Sequence, residues 1–143
     1  ALLWWCDTAS YDKLCLMMFS GMTFCLILYM VLPNGLDIRP TAEAVGRDNL
    51  AMTIMKMLWS ADASVNVCPS IHCQSSGCMA LAFSQSRLAK DRPGWKVLAW
   101  VWAGLICAST VFTKQHSIID VLCGLALVAV WVPVLYRPAK AKT

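Results

Sequence analysis

An all-α bundle of membrane-spanning helices is the fold class this sequence predicts, and three uncharged stretches predict it. Between Lys13 and Asp37 no residue is charged, and the run includes "LCLMMFSGMTFCLILYMVL". Between Lys96 and Lys114 lie seventeen uncharged residues, "VLAWVWAGLICASTVFT", and between Asp120 and Arg137 sixteen more, "VLCGLALVAVWVPVLY". A hydrocarbon core of roughly 30 Å needs about 20 helical residues, with about 17 as the lower limit, so all three qualify once their flanks are counted. From Ala63 to Ser86 the only titratable groups are His72 and the thiols of Cys68, Cys73 and Cys78, which makes this stretch a weaker fourth. The totals agree: 59% hydrophobic and 14% charged residues with a mean hydropathy of +0.60 exclude an average soluble domain. At 143 residues the chain is one domain, 1–143.

The opening "ALLWWCDTASYDK" lacks the charged n-region of a cleavable signal peptide. Trp4 and Trp5 read as interfacial aromatics at the end of a span that lies upstream, so a fragment of a longer chain is expected. The first span, about 14–33, stops at "PNG". A polar connection follows, "LDIRPTAEAVGRD", the most charged part of the interior. Residues 49–60 read as an amphipathic helix, lying at the interface or covering the mouth of the bundle. Asn49, Thr53, Lys56 and Ser60 fall on one face, and Leu50, Ile54, Met57 and Leu58 on another. The second span, about 71–87, starts after Pro69 with Ser70 as its N-cap. Its Gln74, Ser75, Ser76, Ser84 and Gln85 suit a helix that faces other helices rather than lipid. After the basic turn "LAKDRPG" come the third span, about 96–113, and the fourth, about 118–136, then the basic tail "RPAKAKT".

The eight cysteines are scattered, and no CxxC pair occurs. Those inside apolar spans act as small hydrophobes, and Cys68, Cys73 and Cys78 around His72 match metal-ligand spacing only loosely. No metal site and no cofactor are expected.

Successive spans alternate direction, so Arg39, His72, Lys114, His116 and Asp120 should all emerge on one side of the membrane. His116 and Asp120 are four apart and share a helix face. A carboxylate there can accept the imidazole Nδ1–H, fix the tautomer and leave Nε2 as nucleophile or base. The plainer alternative is an aspartate that caps a helix start. Arg39 and Lys114 add positive charge, and the free amides at the start of the second span, near Ser70, add a helix N-terminus. Cations, free amides and two histidines describe an anion site with acid–base equipment, and phosphate is the obvious anion.

"CPSIH" followed by "STVFTKQHSIID" resembles the type 2 phosphatidic acid phosphatases, the superfamily that also contains vanadium haloperoxidases. Their motifs are K-x6-RP, PSGH and SR-x5-H-x3-D. Arg39-Pro40, Pro69–His72, and Ser109 with His116 and Asp120 match them in order, over essentially the whole chain from about residue 11. The departures are Leu32 in place of the lysine, Ile71 in place of the PSGH glycine and Thr110 in place of the arginine. The wording "STVFTKQHSIID" is closer to the branch containing inositol-phosphate lipid transferases. The resemblance implies a polytopic membrane phosphatase bundle, whose usual six-helix form would need two more helices before Ala1. It implies that His116 attacks phosphorus and becomes phosphohistidine, that Asp120 orients it, and that His72 protonates the leaving group. Arg39, Ser70 and Lys114 would hold the phosphoryl oxygens, without a metal.

The implied activity is a metal-independent phosphatase or phosphotransferase. It would remove phosphate from a lipid or polyprenyl phosphate or pyrophosphate, or pass a head-group phosphate to an alcohol such as inositol. The remaining readings are a bis-histidine haem protein and an inactive homologue. Membrane lipids are the expected surroundings and no nucleic-acid partner is expected. Short basic loops stay cytoplasmic, so the expected place is the cell membrane, multi-pass, with the site facing the extracytoplasmic side.

Overall fold

The computed structural model describes residues 2–41, 45–47, 49–62 and 64–136. The basic tail from Arg137 onward lies outside the described residues. The described residues form helices α1 (Leu2–Cys6), α2 (Thr8–Val31), α3 (Leu50–Ala61), α4 (Ile71–Gln85), α5 (Pro93–Phe112) and α6 (Ile118–Leu135). No strand forms among them; one isolated antiparallel bridge joins Gly35 to Val65.

Each helix start has a local cause. Asp7 caps α2 by accepting the Ser10 N–H at 3.3 Å, and also accepts the Arg87 N–H at 2.8 Å. That second bond ties the start of α2 to the turn between α4 and α5. The Arg87 amide and the Ser10 hydroxyl hold the Asp7 carboxyl below its ordinary value. Asn49 caps α3 and Ser70 caps α4. Pro93 occupies the first turn of α5, where its missing N–H costs nothing. Ser117 and Asp120 form a reciprocal capping box on α6.

Three of these helices, α2, α5 and α6, are long and apolar enough to cross a membrane. Their outward faces carry exposed Phe19, Leu26, Ile27, Val101, Trp102, Leu105, Leu122 and Val130. In water such a surface would be prohibitive; in lipid it needs no partner.

The stretch expected to span as 71–87 is the exception. α4 has 15 residues, about 22 Å of helix, which falls short of the hydrocarbon thickness. It is instead the central helix, packed against α5, α2 and α6. Non-helical backbone at membrane depth is tolerated where protein encloses it, and residues 67–70, which lead into α4, are buried or half-buried. Asn34, from "PNG", accepts the N–H groups of Val67 (2.8 Å) and Cys68 (2.9 Å) and donates to the Cys68 carbonyl (2.9 Å). The Tyr29 hydroxyl donates to the Pro69 carbonyl, and the Ser70 N–H donates to the Asp120 carbonyl at 3.1 Å.

Small residues let the helices close on α4. A Cβ on Gly124 of α6 would lie 2.6 Å from the Ser70 carbonyl oxygen, so only glycine lets α6 come this near the start of α4. Gly21 of α2 leaves room for the fully buried Gln74, whose Nε2 donates to the Met17 carbonyl at 3.2 Å and contacts the Cys78 sulfur at 3.3 Å. Met17, Cys78, Leu81, Ala82 and Val128 form the apolar core at these contacts. Helix α3 buries only Met52 and leaves Leu50, Ile54 and Met57 exposed.

Candidate active site

The start of α4 and the turn between α5 and α6 meet at one end of the bundle, and each contributes a histidine. His72 lies in the first turn of α4, after the Ser70 cap. His116 lies in the turn of residues 113–117, which reverses the chain within a few residues. Lys114 takes a left-handed backbone (φ 58°), and the Thr110 carbonyl accepts the N–H groups of both Gln115 (3.0 Å) and His116 (3.1 Å). Holding a lysine in that region costs about 1 kcal/mol or more, and it gives the turn its tightness.

His72 Nδ1 and His116 Nε2 are 3.4 Å apart, with ring centroids 5.6 Å apart and planes inclined by 59°. Their environments differ. His72 is exposed, whereas His116 is buried. Burial, reinforced by the nearby His72 ring, pushes the His116 pKa below its ordinary value against the opposing pull of Asp120. The shift favours the neutral imidazole, which keeps a lone pair on one nitrogen.

Asp120 sits behind His116. Its Oδ2 is 3.9 Å from His116 Nδ1, an ion-pair distance rather than a hydrogen bond. The same oxygen accepts the Ser117 N–H at 2.6 Å. The capping and orienting roles thus meet on one carboxylate, and His116 Nδ1 is a buried nitrogen with no hydrogen-bond partner.

The three expected phosphate holders are placed differently. Ser70 is fully buried, its Oγ accepting the Cys73 N–H at 3.4 Å as the α4 cap. Lys114 is exposed at the tip of the turn. Arg39 is held at the edge of the site: Nη1 donates to the carbonyls of Trp59 (3.0 Å) and Asp62 (2.6 Å), and Nη2 meets Asp62 Oδ2 at 3.2 Å.

Asp62 is the residue that sequence reasoning missed. Its Oδ2 also accepts from Gln115 Nε2 at 3.1 Å, so one carboxylate joins Arg39 to the turn that carries His116. Trp59 strengthens the joint by donating its Nε1–H to the Thr113 carbonyl at 2.7 Å. The one available signal was a carboxylate on the histidine side, just ahead of "CPSIH", in a chain with only eight acidic residues.

Among the described residues no three His, Cys, Asp or Glu side chains converge as a metal would need.

The family model described as the PAP2 superfamily matches residues 13–143. No significant match to a curated protein or to a solved structure was found.

Proposed function

From the chain's membership of the PAP2 superfamily, to which it belongs over residues 13–143 and which carries a phosphatase-type activity, we infer that it is a membrane phosphohydrolase acting through a phosphohistidine. The substrate class is a lipid or polyprenyl phosphate ester. The observation that carries this reading is the pairing of His116 Nε2 with His72 Nδ1 at 3.4 Å, with Asp120 behind the first ring.

The neutral Nε2 of His116 attacks phosphorus, forming an N–P bond as the P–O bond to the leaving group breaks. His72 supplies the proton that the departing oxygen takes up, a contribution of about 10²–10⁴ in rate. The Asp120 carboxylate stabilises the positive charge that develops on the His116 ring. Water then attacks phosphorus and gives its proton to His72 as the N–P bond breaks, which restores both histidines. These steps ask for no metal. An alcohol in place of water would make the same cycle a transfer.

Phosphate release by the detergent-solubilised protein, measured across lipid phosphates and nitrophenyl phosphate as a function of pH, tests the reading. His116 must be neutral to attack, so kcat/KM rises with pH through the His116 pKa. Because that pKa is lowered, the acid limb should have its midpoint below the ordinary histidine value of about 6.5. An acid limb centred above that value, or no release from any phosphate, would sink it.

The active-site side follows from charge. Residues 86–92, at the end of the bundle opposite the histidines, carry Arg87, Lys90 and Arg92 against Asp91. Short basic turns stay in the cytoplasm, which puts the histidines at the extracytoplasmic headgroup level. A Lys90→Cys variant should resist an impermeant maleimide on intact cells and react after permeabilisation; labelling of intact cells would reverse the assignment.

A further inference from the structure

His116 reaches its place through a turn that the chain does not favour on its own. Lys114 lies in the left-handed region (φ 58°), and a non-glycine residue stays there only where its surroundings over-determine it. From inside the turn, the Thr110 carbonyl holds the N–H groups of Gln115 and His116. The rest of the hold comes from the C-terminal end of α3. Trp59 donates its Nε1–H to the Thr113 carbonyl at 2.7 Å, and Asp62 Oδ2 accepts from Gln115 Nε2 at 3.1 Å. These two bonds grip the residues on either side of Lys114. The Gln115 side chain is fixed at its other atom too, since Oε1 lies 2.9 Å from the Thr113 hydroxyl. Packing does little to hold α3, whose one buried residue is Met52. Its end is held by Arg39 instead, which donates to the carbonyls of Trp59 and Asp62 and pairs with the Asp62 carboxylate. Arg39 thus satisfies carbonyls left over at a helix end and places Asp62 within reach of Gln115.

We propose that the end of α3 is a clamp on the catalytic turn, with Trp59 and Asp62 as positioning residues that aim His116 Nε2. They act through Thr113 and Gln115, the neighbours of Lys114. This rests on His116 as the nucleophile and adds what holds that nucleophile in line. Attack on phosphorus needs aligned atoms, and a misplacement of about 1 Å can cost about 10²-fold in rate. Loss of one clamp bond lets Lys114 relax out of the left-handed region, so a share of the molecules carries a misaimed His116. Arg39 and the start of α4 lie off the turn, so the loss falls on the rate of phosphoryl transfer and spares phosphate binding.

Two variants each remove one clamp bond without changing any charge, Trp59→Phe and Gln115→Met. The test uses the full chain in detergent and single-turnover release of nitrophenol from nitrophenyl phosphate, which separates binding from chemistry. Each variant should lower the maximal release rate about ten-fold. The half-saturating concentration and the inhibition constant of inorganic phosphate should change by less than about two-fold, and the melting temperature by no more than a few degrees. Asparagine tolerates the left-handed backbone. With Lys114→Asn already present, Trp59→Phe should therefore cost only about two-fold, and the missing lysine charge divides out of that comparison. A wild-type rate in either folded variant overturns the inference. So does a loss that appears in phosphate inhibition instead of rate, or one that keeps its full size beside Lys114→Asn. Failure of both variants to fold overturns it as well, because the bonds would then be holding the bundle. No nitrophenol from the wild-type protein, or release that survives His116→Ala, overturns the proposed function and takes the clamp with it.

Discussion

His116→Ala should reduce turnover by at least about 10⁴-fold and should leave no acid-labile phosphoryl group on the protein after a quench with labelled substrate. The size of the loss follows from the site's construction. His116 is the buried imidazole with a lowered pKa, and its Nε2 faces the second histidine across 3.4 Å. Removing it leaves Asp120 and His72 with nothing to orient and nothing to protonate, so no residual route of comparable rate remains. The backbone of the turn is held by the Thr110 carbonyl and by the Trp59 and Gln115 contacts, none of which uses the imidazole. The variant should therefore keep the wild-type melting temperature to within a few degrees. Labelled phosphate trapped on the variant at undiminished yield would assign the nucleophile elsewhere.

His72→Ala should show a different signature, because His72 serves the leaving group. With an alkyl phosphate, whose alkoxide departs poorly without a proton, kcat should fall by about 10²–10⁴. With a nitrophenyl phosphate the leaving oxygen needs little help, so His116 should still become phosphorylated and release nitrophenol in a burst. Groups that act as one unit give losses that do not add, so the double variant should be no slower than His116→Ala alone. An equal loss on alkyl and nitrophenyl substrates would remove His72 from the acid role.

What the sequence made legible follows from the range of each interaction. The spans at 14–33, 96–113 and 118–136 were readable because an uncharged run of fixed length is itself the physical requirement for crossing lipid. The observed α2, α5 and α6 differ from them by at most a few residues, apart from the start of α2 at Thr8. Ser70 was readable as a cap because capping is local. The convergence of His72 and His116 was readable because short connections between spans force alternation, and the 3.4 Å contact is its outcome.

The partner of Arg39 was not readable. Asp62 lies 23 residues away, and the pairing depends on where α3 ends and how the α5–α6 turn folds against it. The enclosed entry to α4 was obscure for the same reason. Asn34 read as a turn residue, but its bonds to Val67 and Cys68 cross more than thirty residues. At Asp120 two local rules compete. The i, i+4 spacing points to His116 and the capping box points to Ser117, and only the folded chain shows both drawing on one oxygen.

Gln74 has a consequence for how α4 can move. It is a fully buried carboxamide, seated opposite Gly21 and donating to the Met17 carbonyl. Turning α4 by one residue, about 100°, would swing that amide out of its slot and set an apolar face of the helix against the gap. Stranding an unpaired amide in hydrocarbon costs several kcal/mol. The amide therefore acts as an indexing pin, fixing the azimuth of α4 about its own axis. His72 leaves the same helix two residues earlier, so its aim is locked from inside the membrane, a part of the chain that no phosphate reaches.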